Sequence, residues 1–214
     1  MKHTSTEKVS VPFIGIERHR IVTDGDGVTT LVAFAGCPLR CKFCLNPHSW
    51  NGSVEPLFLT PEELYERVKI DQLYFLATGG GVTFGGGEPL LYPEFIQQFR
   101  KICGTEWNIS IETSLNVPQE NLGDIISIVN HYIVDIKDLN PIIYYKYTGK
   151  YNNAVIKNLQ ILKEKVNAEN IIIRVPHIQG YNQKDDIRQS IENLTGMGFI
   201  HINEFEYIPK QNEW

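Results

Sequence analysis

The chain reads as an α/β protein with an incomplete parallel barrel, and three observations carry that reading. Apolar, β-branched runs alternate with helical patterns along most of its length, as right-handed strand–helix–strand crossovers require. About six such units can be counted, short of the eight that close a barrel, so the architecture expected is a partial, TIM-like (β/α)6 barrel. Polar residues gather where the strands end, at Cys37, Glu88, Glu112, Asp135, Lys137 and Arg174. That edge is where parallel α/β folds carry their chemistry.

Taken in order, residues 11–22 mix apolar and charged side chains and predict an edge strand or hairpin. Asp24-Gly25-Asp26-Gly27 is a turn by composition. The first parallel strand is expected at Thr30–Ala35, followed by a loop with three cysteines. Thr60-Pro61-Glu62-Glu63 starts a helix, with Thr60 as N-cap, proline at the first position and Glu63 at the capping-box position. That helix runs on through Leu64 and Val68. A short strand lies between the glycine clusters of Gly79–Gly87. Phe95, Phe99 and Ile102 stand at helical spacing in Pro93–Cys103. Asn108–Thr113 predicts a strand and Gln119–Val129 a helix. In His131–Lys137, Tyr132, Val134 and Ile136 alternate with Asp135 and Lys137, as in a strand. Ala154–Val166 carries Ile156, Leu159, Leu162 and Val166 on one helical stripe. Ile171–Val175 is a β-branched strand. Asn182 is expected to cap a helix through Ile187, Ile191 and Leu194, and His201–Tyr207 is the last strand.

With 214 residues the chain is expected to be a single domain, 1–214, with a substantial core. No Lys/Arg-rich run exists and the net charge is −5, so no nucleic-acid partner is expected. No apolar stretch is long enough to span a bilayer, and Met1–Lys8 lacks the apolar segment of a signal peptide. A cytoplasmic protein with no membrane partner is the expectation. Three of the four cysteines are clustered, unlike a secreted disulfide framework. Cys103, alone on a predicted helix, is read as a small buried apolar residue.

The cysteines stand as Cys37-x3-Cys41-x2-Cys44 in a short, charged loop. A disulfide between two of them leaves the third over. Three thiolates can hold an iron–sulfur cluster that ordinarily takes four, leaving one iron free to bind another ligand. Zinc is the alternative, and wants a fourth Cys or His; His48, four residues past Cys44, keeps it open. The glycine run ending in Glu88 offers backbone carbonyls and one carboxylate, all acceptors, which suit an ammonium better than a phosphate. Asp135 and Lys137 face one side of a strand, as a surface ion pair or as ligands. Glu112 is either solvent-facing or part of the site. Arg174, in an apolar strand, calls for a carboxylate partner.

Cys-x3-Cys-x2-Cys with an aromatic, Phe43, before the last cysteine resembles the signature of radical S-adenosylmethionine enzymes. Gly80-Gly81-Val82-Thr83-Phe84-x-Gly86-Gly87-Glu88-Pro89-Leu90-Leu91, Asn46-Pro47, Tyr147-Thr148-Gly149 and Gly180-Tyr181-Asn182 look like the glycyl-radical-enzyme activating enzymes, the group of the pyruvate formate-lyase activating enzyme. The last two stretches look like structural turns. The resemblance covers about residues 14 to 208. It implies the radical SAM type of partial barrel, with Cys37, Cys41 and Cys44 holding one 4Fe–4S cluster. It implies that Phe43 and Gly86-Gly87-Glu88 bind S-adenosylmethionine, the last through its amino group. Glu112 and Thr113 help form a monovalent-cation site. Asp135 assists the cation or the ribose, Lys137 meets the methionine carboxylate, and Arg174 belongs to the same cofactor-binding set. The reaction implied is reductive cleavage to methionine and a 5′-deoxyadenosyl radical, under anaerobic conditions. The radical then takes a hydrogen atom from a glycine of a partner glycyl radical enzyme. Flavodoxin or ferredoxin is the electron donor implied.

The sequence departs from that pattern at Gly85, Asp26, Thr29 and Leu45, where the family has Ser, Pro, Arg and His. Ile208 replaces an expected His, and the sequence stops at Trp214, short of the family's usual C-terminal helix. The runner-up is a radical enzyme acting on a small molecule, similar to 7-carboxy-7-deazaguanine synthase. A non-catalytic zinc or redox-sensing module is the rival of another class; it leaves Gly86-Gly87-Glu88 and the Asp135/Lys137 pair without a purpose.

Overall fold

The computed structural model describes residues 9–21 and 23–207. The expectations placed on Met1–Lys8, residue 22, Ile208 and Trp214 lie outside them. The elements are β1 (Val11–Ile21), β2 (Val28–Phe34), α1 (His48–Asn51), β3 (Leu57–Leu59), α2 (Pro61–Val68), α3 (Gln72–Thr78), β4 (Gly81–Gly86), α4 (Pro93–Cys103), β5 (Asn108–Thr113), α5 (Gln119–Gly123), β6 (His131–Asp135), α6 (Pro141–Thr148), α7 (Asn153–Lys165), β7 (Ile171–Ile178), α8 (Lys184–Met197) and β8 (His201–Tyr207). They form one sheet in the order β3-β1-β2-β4-β5-β6-β7-β8. The six strands from β2 to β8 are all parallel, as the partial barrel requires. β1 and β3 extend it as an antiparallel flap beside β2.

The core fills the space between sheet and helices. Phe34 of β2 is its centre, with Phe13 at 4.6 Å, Tyr92 at 5.0 Å, Phe84 at 5.4 Å and Phe95 at 5.8 Å between ring centroids. Each fully buried ring of this kind contributes about 1.5–3 kcal/mol relative to exposure. α2 starts as expected: the Thr60 hydroxyl accepts from the Glu63 N–H and the Glu63 carboxylate accepts from the Thr60 N–H.

Several boundaries differ from the sequence expectation, each for a local reason. The helix expected over Gln119–Val129 ends at Gly123 and continues as turns. Asn130 after it accepts from the Ile109 N–H and from Arg100, fixing the chain before β6. The strand expected through Lys137 ends at Asp135, while β7 runs three residues past Val175 to Ile178. Asn182 is not a helix cap. Gln183 takes that place, its N–H bonded to Asp186. Asn182 is buried, donates to Asp138 and the Pro176 carbonyl, and accepts from the Ile178 N–H. Tyr147-Thr148 is the end of α6, capped at its start by Asn140. Cys103 packs against the core but is only partly buried. The short α1 and β3, and α3 and α6, had no expectation behind them.

Arg100 is a buried cation with no carboxylate. Its guanidinium donates to the carbonyls of Ile128, Gly104 and Trp107 and to the Asn130 side chain, tying α4 to the starts of β5 and β6. Removing it strands buried acceptors, which costs the desolvation of each. Arg100→Ala should lower stability by about 3 kcal/mol, read as a fall in the urea midpoint.

Candidate active site at the strand ends

The close approach of β2 and β4 at their C-terminal ends creates the site. Gly86 has φ +84°, and a Cβ there would meet Ala33 Cβ at 2.6 Å; one on Gly87 would meet the Gly36 carbonyl oxygen at 2.2 Å. Only glycine lets the two backbones lie this close. The Gly87 N–H then donates to the Phe34 carbonyl at 2.9 Å, and the Glu88 N–H to the Gly36 carbonyl at 2.8 Å. The start of the cysteine loop is thus pinned to the glycine motif. Its middle is held from across the barrel. The Arg40 N–H donates to the Thr148 carbonyl and the Lys42 N–H to the Tyr147 carbonyl. The Tyr147-Thr148-Gly149 stretch therefore has a task as the helix end that carries the cysteine loop.

A cavity of about 180 Å³ results. It is lined by Cys37, Cys41, Cys44, Phe43, Gly86, Gly87, Glu88, Glu112, Asp135, Lys137 and Arg174, together with Leu39, Leu45, Asn46, Ser114, Tyr147 and Tyr207. All the sequence-predicted site residues meet there except Thr113. The Thr113 hydroxyl donates to Glu88 Oε1 at 2.6 Å and accepts from the Leu115 N–H, so it supports the site from behind.

Glu88 lines the pocket with its carboxylate already engaged. Its carboxylate is 1% exposed and already accepts from the Thr113 hydroxyl, the Ser114 N–H and hydroxyl, and the Leu90 N–H. Burial raises its pKa and these bonds oppose the rise. The acceptors left for an ammonium are the glycine carbonyls, and Asn46 Nδ2 already touches that of Gly86 at 3.3 Å.

Two ion pairs face the thiols. Lys137 Nζ stands 3.2 Å from Asp135 Oδ2, and Arg174 Nη1 2.9 Å from Glu112 Oε1. Burial pulls the Lys137 ammonium down, but Asp135 and Cys41 more than offset it, leaving the pKa raised. Burial pushes Glu112 up to about 7, with Arg174 opposing and Asp135 and Asp24 adding to the rise. Gly85 gives Glu112 its room, since a Cβ there would meet Glu112 Oε2 at 2.9 Å. The turn at residues 24–27 is tied to the same strands. The Thr83 hydroxyl donates to the Asp24 carbonyl, Arg20 pairs with the Asp24 carboxylate, and Arg174 donates to the Thr23 carbonyl. Thr29, where the resemblance has Arg, is buried beside it, its hydroxyl without a partner among the described residues. Leu45, in place of His, is exposed at the mouth.

The donor set fits an iron–sulfur cluster. All four cysteines are free. Burial pushes Cys37 up to about 12, with Glu88 adding to it, and Cys41 up to about 11, with Lys137 opposing. Reactive and redox-exchanging cysteines need the opposite shift. Binding a metal centre would require these thiols to give up their protons. A single zinc ion would need its sulfurs about 3.8 Å apart for bonds of ~2.3 Å. Among the described residues no three His, Cys, Asp or Glu side chains are gathered for one ion. A cluster takes each thiolate on a separate iron and tolerates wider spacing. His48 lines a different cavity and adds nothing here.

A half-barrel with a three-thiol loop at its strand ends defines an iron–sulfur enzyme that leaves one iron open. The chain belongs to the Radical SAM superfamily, whose sequence model matches residues 31–194. It is similar to the indoleacetate decarboxylase activating enzyme of Tractidigestivibacter scatoligenes, at 24% identity over 81% of this chain and 74% of that one. It is 40% identical to the pyruvate formate-lyase-activating enzyme of Clostridium pasteurianum over 60% of this chain and 54% of the relative. In fold it is similar to Streptococcus suis SuiB bound to S-adenosylmethionine, with a TM-score of 0.62 at 15% identity, over 85% of this chain and 43% of that one. The superfamily brings with it a 4Fe–4S cluster and S-adenosylmethionine, as the sequence resemblance implied. A zinc or redox-sensing module is thereby set aside.

Ser114, Asn46, Tyr147 and Tyr207 were not among the expected site residues. Asn46 and Ser114 adjoin recognised motifs, whereas Tyr207 lies 164 positions from the Phe43 carbonyl it donates to. Glu112 supplies a pH test of this charge layout. A carboxyl raised in the fold makes the native state bind more protons than the unfolded state, so stability falls as pH rises from 4.5 through 7. In Glu112→Gln that component disappears. The difference in urea midpoint between wild type and variant should therefore move against the wild type between pH 5 and pH 7.5.

Proposed function

We propose that this radical SAM enzyme installs a glycyl radical on a partner enzyme. Cys37, Cys41 and Cys44 would hold the cluster. The Gly86 and Gly87 carbonyls would accept from the ammonium of S-adenosylmethionine. Lys137 and Arg174 would meet its carboxylate as charge-assisted donors. A monovalent cation is proposed beside Glu112 and Asp135, in exchange for the ion pairs those carboxylates now make. When bound, the cluster supplies one electron that breaks a C–S bond of S-adenosylmethionine, giving methionine and a radical able to take a hydrogen atom. The chain itself positions the ligand, keeps the site dry and guards against side reactions.

The single observation that carries this reading is the make-up of the pocket. The three half-buried cysteines line it together with Gly86, Gly87 and the two paired cations Lys137 and Arg174. The protein substrate is read from the relatives, which are named as activators of a decarboxylase and of a lyase. A half-barrel without its last strands also leaves room for an extended loop. We further propose a single domain over 1–214, flavodoxin or ferredoxin as electron donor, and a cytoplasmic setting, where thiols stay reduced. Among the described residues no helix is long and apolar enough to cross a membrane.

Replacing any of Cys37, Cys41 or Cys44 with Ala should abolish iron–sulfur absorbance together with S-adenosylmethionine cleavage; full retention of iron in one of them removes it from the ligand set. Lys137→Ala should keep the cluster and weaken S-adenosylmethionine binding about 10- to 100-fold, the scale of one charge-assisted contact. Calorimetric titration checks it. Mixed with a glycyl radical enzyme and reductant, the wild type should yield the paramagnetic resonance doublet of a glycyl radical. Deoxyadenosine with a modified small molecule and no protein radical would instead point to chemistry similar to 7-carboxy-7-deazaguanine synthase.

A further inference from the structure

A second cavity, of about 310 Å³, shares only Cys37 with the strand-end pocket. Its walls are Gly36 and Arg40 of the cysteine loop, His48 and Trp50 of α1, and Val54 and Pro56 beyond it. The chain carries a net charge of −5, yet no aspartate or glutamate lines this cavity. The Arg40 guanidinium lies over the Trp50 ring, 4.8 Å from its centroid. Arg40 Nη1 donates to the Cys37 and Leu39 carbonyls, while Nε and Nη2 meet no acceptor among the described residues. The Ser49 hydroxyl and the Trp50 indole N–H, both buried, are also without partners among them. Apolar walls beside a cation whose Nε and Nη2 are open favour an anionic side chain of a partner.

Resting on the reading that Cys37, Cys41 and Cys44 hold the cluster, we propose that this cavity is the docking site of the one-electron donor. The donor is a flavin protein that sets a carboxylate against Arg40 and His48. The strand-end pocket is committed to S-adenosylmethionine and the substrate, so the donor needs another face. Electron transfer falls steeply with distance, and Cys37 is the residue that forms a wall of both cavities. The donor loses one electron, the cluster gains it, and no bond forms or breaks.

The test is the rate of cluster reduction, read as loss of visible absorbance, with reduced flavodoxin and with dithionite in parallel. Val54→Glu and His48→Glu place a negative charge in the cavity without touching the Arg40 bonds to the loop. Val54 is 46% exposed, so its variant has no core packing to lose. The flavodoxin rate should fall about tenfold or more in both variants. In the wild type it should fall as salt rises. Dithionite should reduce all three proteins equally fast. Flavodoxin rates equal to wild type in both variants overturn the proposal. Equal slowing with dithionite also overturns it, because the effect then lies in the loop. A wild type that takes up no iron would overturn the cluster reading itself, so the two failures stay distinct.

Discussion

The site depends on one carboxylate taken out of water. Glu88 sits at the strand ends, and three donors from Thr113 and Ser114 at the end of β5, with the Leu90 N–H from its own turn, justify its burial. Its own N–H reaches back to Gly36 at the head of the cysteine loop. A buried acceptor left without donors costs about 1–3 kcal/mol, and more when charged. The glycine motif, the end of β5 and the cysteine loop are therefore one mechanical unit. Thr113 and Ser114 act on the site through that unit, even though Thr113 does not line the pocket.

The charges inside the half-barrel are arranged in opposed pairs. Lys137 pairs with Asp135 at the end of β6, and Arg174 of β7 reaches past β6 to Glu112 of β5. Such pairs let four ionised groups share a small volume that would otherwise push each toward its neutral form. A ligand carboxylate drawn to the two cations would leave Asp135 and Glu112 unpaired, which is why a monovalent cation is proposed beside them. Burial also pushes the Cys37 and Cys41 thiols up, so each would release a proton on binding a metal centre.

The cysteine loop is short, yet it is held from every side. Leu39 plugs the core, α6 supplies two carbonyls, and Ser49 of α1 receives the Gly36 N–H. Phe43 is enclosed by Tyr147, Tyr181 and Tyr207 at ring-centroid distances of 6.2, 5.8 and 6.5 Å. The Tyr207 hydroxyl donates to the Phe43 carbonyl, so the last described strand latches the loop that follows the first parallel one. A loop fixed this way holds its thiols in place before any ligand arrives, the preorganisation a reactive site needs.

The sequence alone determined what depends on local pattern. Alternation of apolar periods set the six parallel strands and most of the helices, because burial of one face per element is written residue by residue. Cys37-x3-Cys41-x2-Cys44 and Gly86-Gly87-Glu88 were legible because their chemistry needs those residue types at fixed spacing. The tertiary structure decided what depends on distant partners. It saturated the Glu88 carboxylate at the pocket wall, since donors from Thr113, Ser114 and Leu90 meet it there. It made Asn182 a buried bridge to Asp138 when composition suggested a cap, and it ended the helix after Gln119 early because Asn130 was needed by Arg100 and Ile109. It also brought Tyr207 to Phe43, and no local signal encodes a contact that closes only when the sheet curls.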